Sequence, residues 1–246
     1  MRKAIITTAS VMGSRPKKYE EAVNQDAFFV KESDEYICAV VSDGAGSHRY
    51  AALGARIFCD EVGNYLITNA NSVWSEKPEK EISGEVATVI SETTEKLISE
   101  NGGTARDYGS TLMFALIKKG HKEILLGNLG DGVIGIEYGE KEAWKESKSG
   151  DRIRQRYFNI LSFPIRSGRA TFLTNSIQMK SQLRIERKER GDDDCPFRQL
   201  FLATDGCYDH CFESGYGMGY NLLGETLQKV YTDQPEDDAT FVTIEW

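Results

Sequence analysis

Tyr36–Gly44, YICAVVSDG, reads as a buried strand rich in Val, Ile and Ala that ends in Asp-Gly. The residues after that pair decide the fold. Asp-Gly favours a tight hairpin, because both central residues of a type I′ turn need φ > 0. Here no second strand comes next. Ala45-Gly46-Ser47 leads instead into Ala51, Leu53, Ala55, Ile57, Phe58, Val62 and Leu66, apolar positions at helical spacing. The reading is a helix over about 48–67 with Ser47 as its N-cap. A second helix starts near Pro78 and Glu79, carries Ile82, Val86, Val89, Ile90 and Leu97 on one face, and stops at Asn101-Gly102-Gly103.

Outward from these helices, strands are expected at 4–12 and 27–30 on the N-terminal side. On the C-terminal side they are expected at about 110–118, 122–128, 133–138, 170–174, 182–188, 199–203 and 239–246. A further helix is expected at about 220–231, after a Gly-rich loop at 215–219, and 139–168 reads as less regular. Strands, two consecutive helices, strands, one helix and one strand do not make the alternation of a parallel sheet. The order is that of an α+β fold, with helices packed on largely antiparallel sheets. No boundary divides the chain, so 1–246 reads as a single domain.

The strand-end Asp-Gly recurs. Ile124–Leu126 runs through Gly-Asn-Leu-Gly into Asp131-Gly132, and Leu200–Ala203 runs into Thr204-Asp205-Gly206. Val133–Tyr138 comes after Asp131-Gly132 as another strand, so a hairpin fits there. Cys207-Tyr208-Asp209 after Asp205-Gly206 is no clean strand. Asp237-Asp238 stands just before the last strand. Carboxylates at rigid strand ends, drawn from distant parts of the chain, are placed to converge on one hard cation.

Composition narrows the function. Hydrophobic residues make up 40% of the 246, enough for a real core. A net charge of −8 argues against nucleic-acid binding, which rests on a basic footprint. An acidic protein can still bind phosphate if it recruits cations. The five cysteines are odd in number, and Cys38 and Cys59 lie in apolar stretches, which fits a reducing compartment better than a disulfide framework. Cys207, His210 and Cys211 suggest zinc, but no second ligand pair is near in sequence. No run approaches 18 apolar residues, so no membrane span is expected, and Ala4–Met12 reads as a first strand rather than a signal peptide. A cytoplasmic location is the expectation.

Six motifs occur in order: Asn24-Gln25-Asp26-Ala27, Val41-Ser42-Asp43-Gly44-Ala45-Gly46-Ser47, Gly109-Ser110-Thr111, Gly127-Asn128-Leu129-Gly130-Asp131-Gly132, Ala203-Thr204-Asp205-Gly206 and Asp237-Asp238-Ala239-Thr240. Together they resemble the motif series of the metal-dependent serine/threonine protein phosphatases of type 2C, in the wording of a compact bacterial branch. The resemblance covers nearly the whole chain. It implies a four-layer α/β/β/α sandwich of two mostly antiparallel sheets flanked by helix pairs, with a metal centre at one end and a variable flap within about 139–198.

Position by position, the resemblance makes Asp26, Asp43, Asp205 and Asp237 the core carboxylates and Gly44 the backbone carbonyl ligand. It makes Asp131 the ligand of a weaker third metal, and Asp238 stands where many members have Asn. The implied activity is hydrolysis of phosphoserine or phosphothreonine in proteins, by in-line attack of a hydroxide that bridges two Mg²⁺ or Mn²⁺ ions, with the ions neutralising the phosphoryl oxygens. The implied partners are phosphoproteins, with a serine/threonine kinase or its targets among them, and neither nucleic acid nor membrane.

The chain departs from the family at three places. Glu21 stands where many members carry the phosphate-gripping arginine; Arg15, Lys17 and Lys18 are the candidate substitutes, Arg15 first, with a solvated loop charge as the equal reading of Arg15. Ala45 stands where some members have a histidine proposed as the acid for the leaving group. His48, three residues on, has the right chemistry, and a first-turn helix residue facing water is the other reading. Gln25 replaces a glutamate, which weakens any water-mediated metal contact there. Arg152, Arg154, Arg156, Arg166 and Arg169 read as a solvated strand face or a substrate-facing basic patch, the former preferred. A catalytically weak member that serves as a phosphoprotein-binding or regulatory module is the alternative to an enzyme.

Overall fold

The structure, a computed structural model, describes residues 3–15, 23–75, 77–121, 123–141, 155–162, 174–175, 179–189, 197–207 and 235–246. Two antiparallel five-stranded sheets form its centre. The first runs in the order β1 (Ile5–Val11), β10 (Ala239–Glu245), β9 (Phe197–Ala203), β6 (Val133–Lys141), β7 (Gln155–Ser162). The second runs β2 (Asp26–Glu32), β3 (Tyr36–Asp43), β4 (Leu112–Lys118), β5 (Glu123–Leu129), β8 (Arg184–Glu189).

The apolar run 36–41 belongs to β3, and its lack of polar alternation has a structural cause. Ile37, Ala39 and Val41 face the first sheet, among Met113, Ala115, Ile134, Leu200 and Val242. Tyr36, Cys38 and Val40 face the opposite way, among Phe58, Val62, Leu66, Val86 and Ile90 of two long helices. A strand covered on both faces has no reason to alternate. Those helices are α1 (Ala51–Thr68) and α3 (Glu79–Asn101), separated by the short α2 (Ala70–Ser75). A four-residue α4 (Met179–Gln182) precedes β8.

The α+β expectation holds, and so does the end of α3: Gly102 takes φ 76° and donates its N–H to the Ile98 carbonyl at 2.8 Å. Four local expectations differ. Ser47 does not cap α1; the N-cap is Tyr50, which makes no side-chain capping bond. Its ring stacks on Tyr108 at 5.1 Å, so packing fixes this helix entry in place of a hydroxyl. The short α2 has no counterpart among the expected helices. The supposedly irregular 139–168 contains the end of β6 and all of β7, which carries Arg156.

The fourth difference concerns Asp131-Gly132. Its flanking strands form no hairpin: β5 pairs with β4 and β8, whereas β6 pairs with β9 and β7. The link through Asp131 crosses from one sheet to the other. The positive φ needed for the crossing, 120°, is taken by Gly130. Two good strands around Asp-Gly resemble a hairpin locally, and only tertiary pairing separates the two cases. Of the strand expected at 170–174 only Thr174 is described, and it lies in a turn; 170–173, the helix at 220–231, and Arg152, Arg154, Arg166 and Arg169 lie outside the described residues.

Candidate metal centre

Antiparallel pairing gathers the carboxylates at one end of the sandwich. The first residue of β2, Asp26, is the cross-strand partner of the last residue of β3, Asp43. Asp131 comes after β5, Asp205 opens a 3-10 turn (Asp205–Cys207) directly after β9, and Asp237-Asp238 precede β10. One carboxylate oxygen from each of Asp43, Asp131 and Asp205 lies within 4.8 Å of the others. Three strand ends from both sheets thus present hard oxygen donors to one point.

Backbone crossings hold these loops in place. The Gly44 N–H bonds to the Gln25 carbonyl at 3.0 Å, and Gly44 pairs with Ser110 in an isolated bridge. A Cβ on Gly44 would come within 2.7 Å of backbone atoms of both Ala51 and Gln25, so no larger residue fits without moving a metal-site loop. A Cβ on Gly206 would overlap the Asp238 carbonyl oxygen. Asp43 is framed by Thr111, whose Oγ1 accepts the Asp43 N–H at 2.9 Å and whose own N–H bonds back to the Asp43 carbonyl at 2.8 Å.

Asp26 is buried. Thr204 Oγ1 donates to its Oδ2 at 2.7 Å, while its Oδ1 is sealed from solvent without a hydrogen-bond partner among the described residues. Burial, opposed by the Thr204 hydrogen bond and reinforced by the Asp238 charge, pushes its carboxyl up to about 7. Asp43 is pushed well up by burial and then by the charges of Asp26, Asp205 and Asp131. Asp205 is pushed up to about 6 by burial, then by Asp131 and Asp237. An orphaned buried oxygen and carboxylates that repel one another call for a counter-charge. All are oxygen ligands, the donor set of Mg²⁺, Mn²⁺ or Ca²⁺ rather than of zinc in a thiolate site. The residues therefore fit a divalent cation. Cys207 is buried, its Sγ 3.5 Å from the Thr240 carbonyl, and His210 and Cys211 lie outside the described residues.

The other expected site residues take distinct places. Asp237 Oδ2 accepts from Arg15 Nη1 at 2.6 Å, which places the guanidinium beside Asp237. Asp238 is buried and acts as a clamp: its oxygens accept the N–H groups of Gly13 at 2.8 Å and Gln25 at 2.7 Å. Gln25 is itself buried, with its Oε1 against Gly46. Glu21, Lys17 and Lys18 lie outside the described residues.

His48 packs on the turn at 105–109. Its Nδ1 packs against Gly109, and burial, then the Arg106 charge, lowers its pKa against the opposing pull of a Gly109 backbone contact and Asp107. None of the three clustered carboxylates is among the groups acting on it. His48→Ala is expected to change kcat less than about threefold, since a true general acid contributes roughly 10²–10⁴-fold. A hundredfold fall, with loss of one limb of the pH–rate profile, would return His48 to the reaction.

Two contributions escape a reading of the sequence. The Thr204 hydroxyl orients Asp26, and the Asn24 Oδ1 accepts the Asp26 N–H at 2.9 Å. The second is detectable in principle, because an Asn whose side-chain oxygen can accept the N–H two residues on is an Asx-turn signal.

The chain is similar to known proteins in family and in fold. The family model described as "Protein phosphatase 2C" matches residues 17–235. Among solved structures, the chain resembles serine/threonine phosphatase Stp1 from Staphylococcus aureus at 13% identity and TM-score 0.61, covering 100% of this chain and 96% of that one. It resembles serine-threonine phosphatase 2C from Toxoplasma gondii at 15% identity and TM-score 0.58, covering 98% and 94%. It also resembles RsbX, solved in complex with magnesium, at 17% identity and TM-score 0.56, covering 98% and 94%. At these identities the likeness speaks for the fold. Among curated proteins, none matches in sequence. No described helix is long and apolar enough to cross a membrane.

Proposed function

We propose, from the premise that this chain belongs to the protein phosphatase 2C family, that it is a Mg²⁺- or Mn²⁺-dependent serine/threonine protein phosphatase, a hydrolase of phosphoric monoesters. The observation that carries the reading is the convergence of Asp43, Asp131 and Asp205 within 4.8 Å, with Asp26 paired across from Asp43. Asp43 and Asp205, with Asp26 and Asp237, would hold two ions, the Gly44 carbonyl would add a ligand, and Asp131 would serve a third. The magnesium held by RsbX, a relative in fold, is consistent with this. Bound divalent ions would neutralise phosphoryl oxygens and lower the pKa of water at the site.

The chain's own residues do the rest. Asp26 and Asp43 fix the donor set from two adjacent strands, so the site is shaped before any ligand arrives. Thr204 holds Asp26 in one orientation through its 2.7 Å hydrogen bond. Arg15 supplies the guanidinium that Glu21 does not, and its fork suits a phosphate. Residues 1–246 act as one domain, with a flap within 139–198. The substrate is a phosphoprotein, the target of a serine/threonine kinase, met in the cytoplasm.

The test is hydrolysis of p-nitrophenyl phosphate and of a phosphothreonine peptide, with Mn²⁺ and with EDTA. Turnover of both that requires metal is expected. Equal activity in EDTA would sink the metal-dependent mechanism, and metal binding with no turnover would make the chain a regulatory module.

A further inference from the structure

Arg15 and Asp237 meet because their backbones are laid side by side. Ser14 donates its N–H to the Pro235 carbonyl at 2.9 Å, and Arg15 donates its own to the Glu236 carbonyl at 2.8 Å. The Gly13 N–H is tied to Asp238 Oδ1 at 2.8 Å. A Cβ on Gly13 would overlap the Asp237 backbone, so the two segments are in direct contact. The guanidinium is thereby delivered to the Asp237 carboxylate: Nη1 lies 2.6 Å from Oδ2, and Nη2 lies 3.7 Å from Glu236 Oε2. The other Asp237 oxygen accepts the Asp238 N–H at 3.0 Å, which fixes the carboxylate plane and leaves Oδ2 as the oxygen aimed at Arg15.

We propose that Arg15 is a built-in counter-ion for Asp237 that a divalent cation must displace, so that loading of metal and release of the guanidinium toward phosphate are one event. This rests on the reading of Asp237 as a metal ligand. A guanidinium and a divalent ion sharing one carboxylate oxygen repel each other, whereas each alone is attracted to it. The ion pair is suited to displacement. The Arg15 and Asp237 side chains are 58% and 38% exposed, and exposed pairs of this kind contribute little to stability. The backbone bonds of Ser14 and Arg15 do not involve the guanidinium, so the arginine stays beside Asp237 after its side chain lets go. The positive charge of Arg15 also acts on Asp205, so the guanidinium lies within electrostatic reach of the carboxylate cluster. In this arrangement the metal-free protein holds its phosphate-binding arginine against its own carboxylate. An anion meets a free guanidinium only once the cation is in place.

Calorimetric titration of Mn²⁺ into the wild-type chain, Arg15→Ala, Asp237→Asn and the double variant tests this without reference to turnover. Removing a competing counter-ion from an exposed pair is expected to tighten Mn²⁺ by about two- to fivefold in Arg15→Ala. Asp237→Asn should weaken it. In the Asp237→Asn background, Arg15→Ala should have no effect, because no carboxylate charge is left for the guanidinium and the cation to share. Mn²⁺ affinity unchanged or weakened by Arg15→Ala, with Asp237→Asn still weakening it, overturns the inference and leaves the ligand reading intact. Equal tightening in both backgrounds also overturns it, since that is general repulsion. Unchanged affinity in Asp237→Asn removes Asp237 from the metal site and the inference with it. Arg15→Gln gives the same readout should alanine disturb the 13–15 segment.

Discussion

Replacing Asp43 with asparagine is expected to lower Mn²⁺-dependent turnover at least ~100-fold, the range in which a single electrostatic group of a polar active site acts. Asp43 stands at the crossing point of the site: it is paired with Asp26 across β2 and β3 and clustered with Asp131 and Asp205. The fall should come without unfolding. In the absence of metal, the Asp43 charge is opposed by burial and by Asp26, Asp205 and Asp131. Neutral asparagine relieves that repulsion, so the variant's Tm in EDTA should equal or exceed that of the unmodified chain. Activity within tenfold of normal would remove Asp43 from the centre of the reaction. A collapsed Tm would make it a structural residue.

The second large effect is on stability. Burial pushes the Asp26 carboxyl up from an ordinary 3.8 to about 7 in the folded chain, and that of Asp205 up to about 6. A carboxyl whose folded pKa is raised binds its proton more tightly in the folded state. The stabilisation is complete below the unfolded value and is lost as pH rises through the folded one. In EDTA the chain should therefore lose stability between pH 5 and pH 8. At 1.36 kcal/mol per pKa unit, Asp26 alone accounts for roughly 3 kcal/mol over that window. For a chain of this size that is a fall in Tm of about 5–10 °C. Saturating Mn²⁺ should reverse the trend, since the ion binds only the ionised carboxylates of the folded state. Differential scanning calorimetry across this range, with and without metal, decides it. A Tm that rises with pH in EDTA would mean that the carboxylates are already compensated without metal.

The reach of the sequence differs from element to element. The buried run 36–41 and the periodic faces of α1 and α3 are legible because burial on a helix face or a two-sided strand leaves its trace in local composition. Asp26, Asp43, Asp131 and Asp205 are legible as an ordered motif series. The hidden part is set by contacts between distant segments. Whether Asp131-Gly132 turns a hairpin or crosses between sheets depends on β9, some seventy residues on. Whether His48 faces the carboxylates depends on the 105–109 turn, and the work of Asp238 depends on the amides of Gly13 and Gln25. The entry to α1 escapes a local reading for the same reason, since Tyr50 is held by Tyr108 and not by a nearby hydroxyl.

The crossing at Asp131 has a mechanical meaning. Asp26 and Asp43 belong to one sheet, Asp205 and Asp237 flank strands of the other, and Asp131 rides the strap between them. A cation gripped by this set is a rivet through both halves of the sandwich at one end. The two sheets it would fasten are also joined there by the Thr204–Asp26 and Gln25–Asp238 hydrogen bonds and, deeper, by packing among Ile37, Val41, Met113, Leu202 and their neighbours. With the proposed ion bound, this end of the sandwich would be the place at which catalysis and cohesion depend on the same cation.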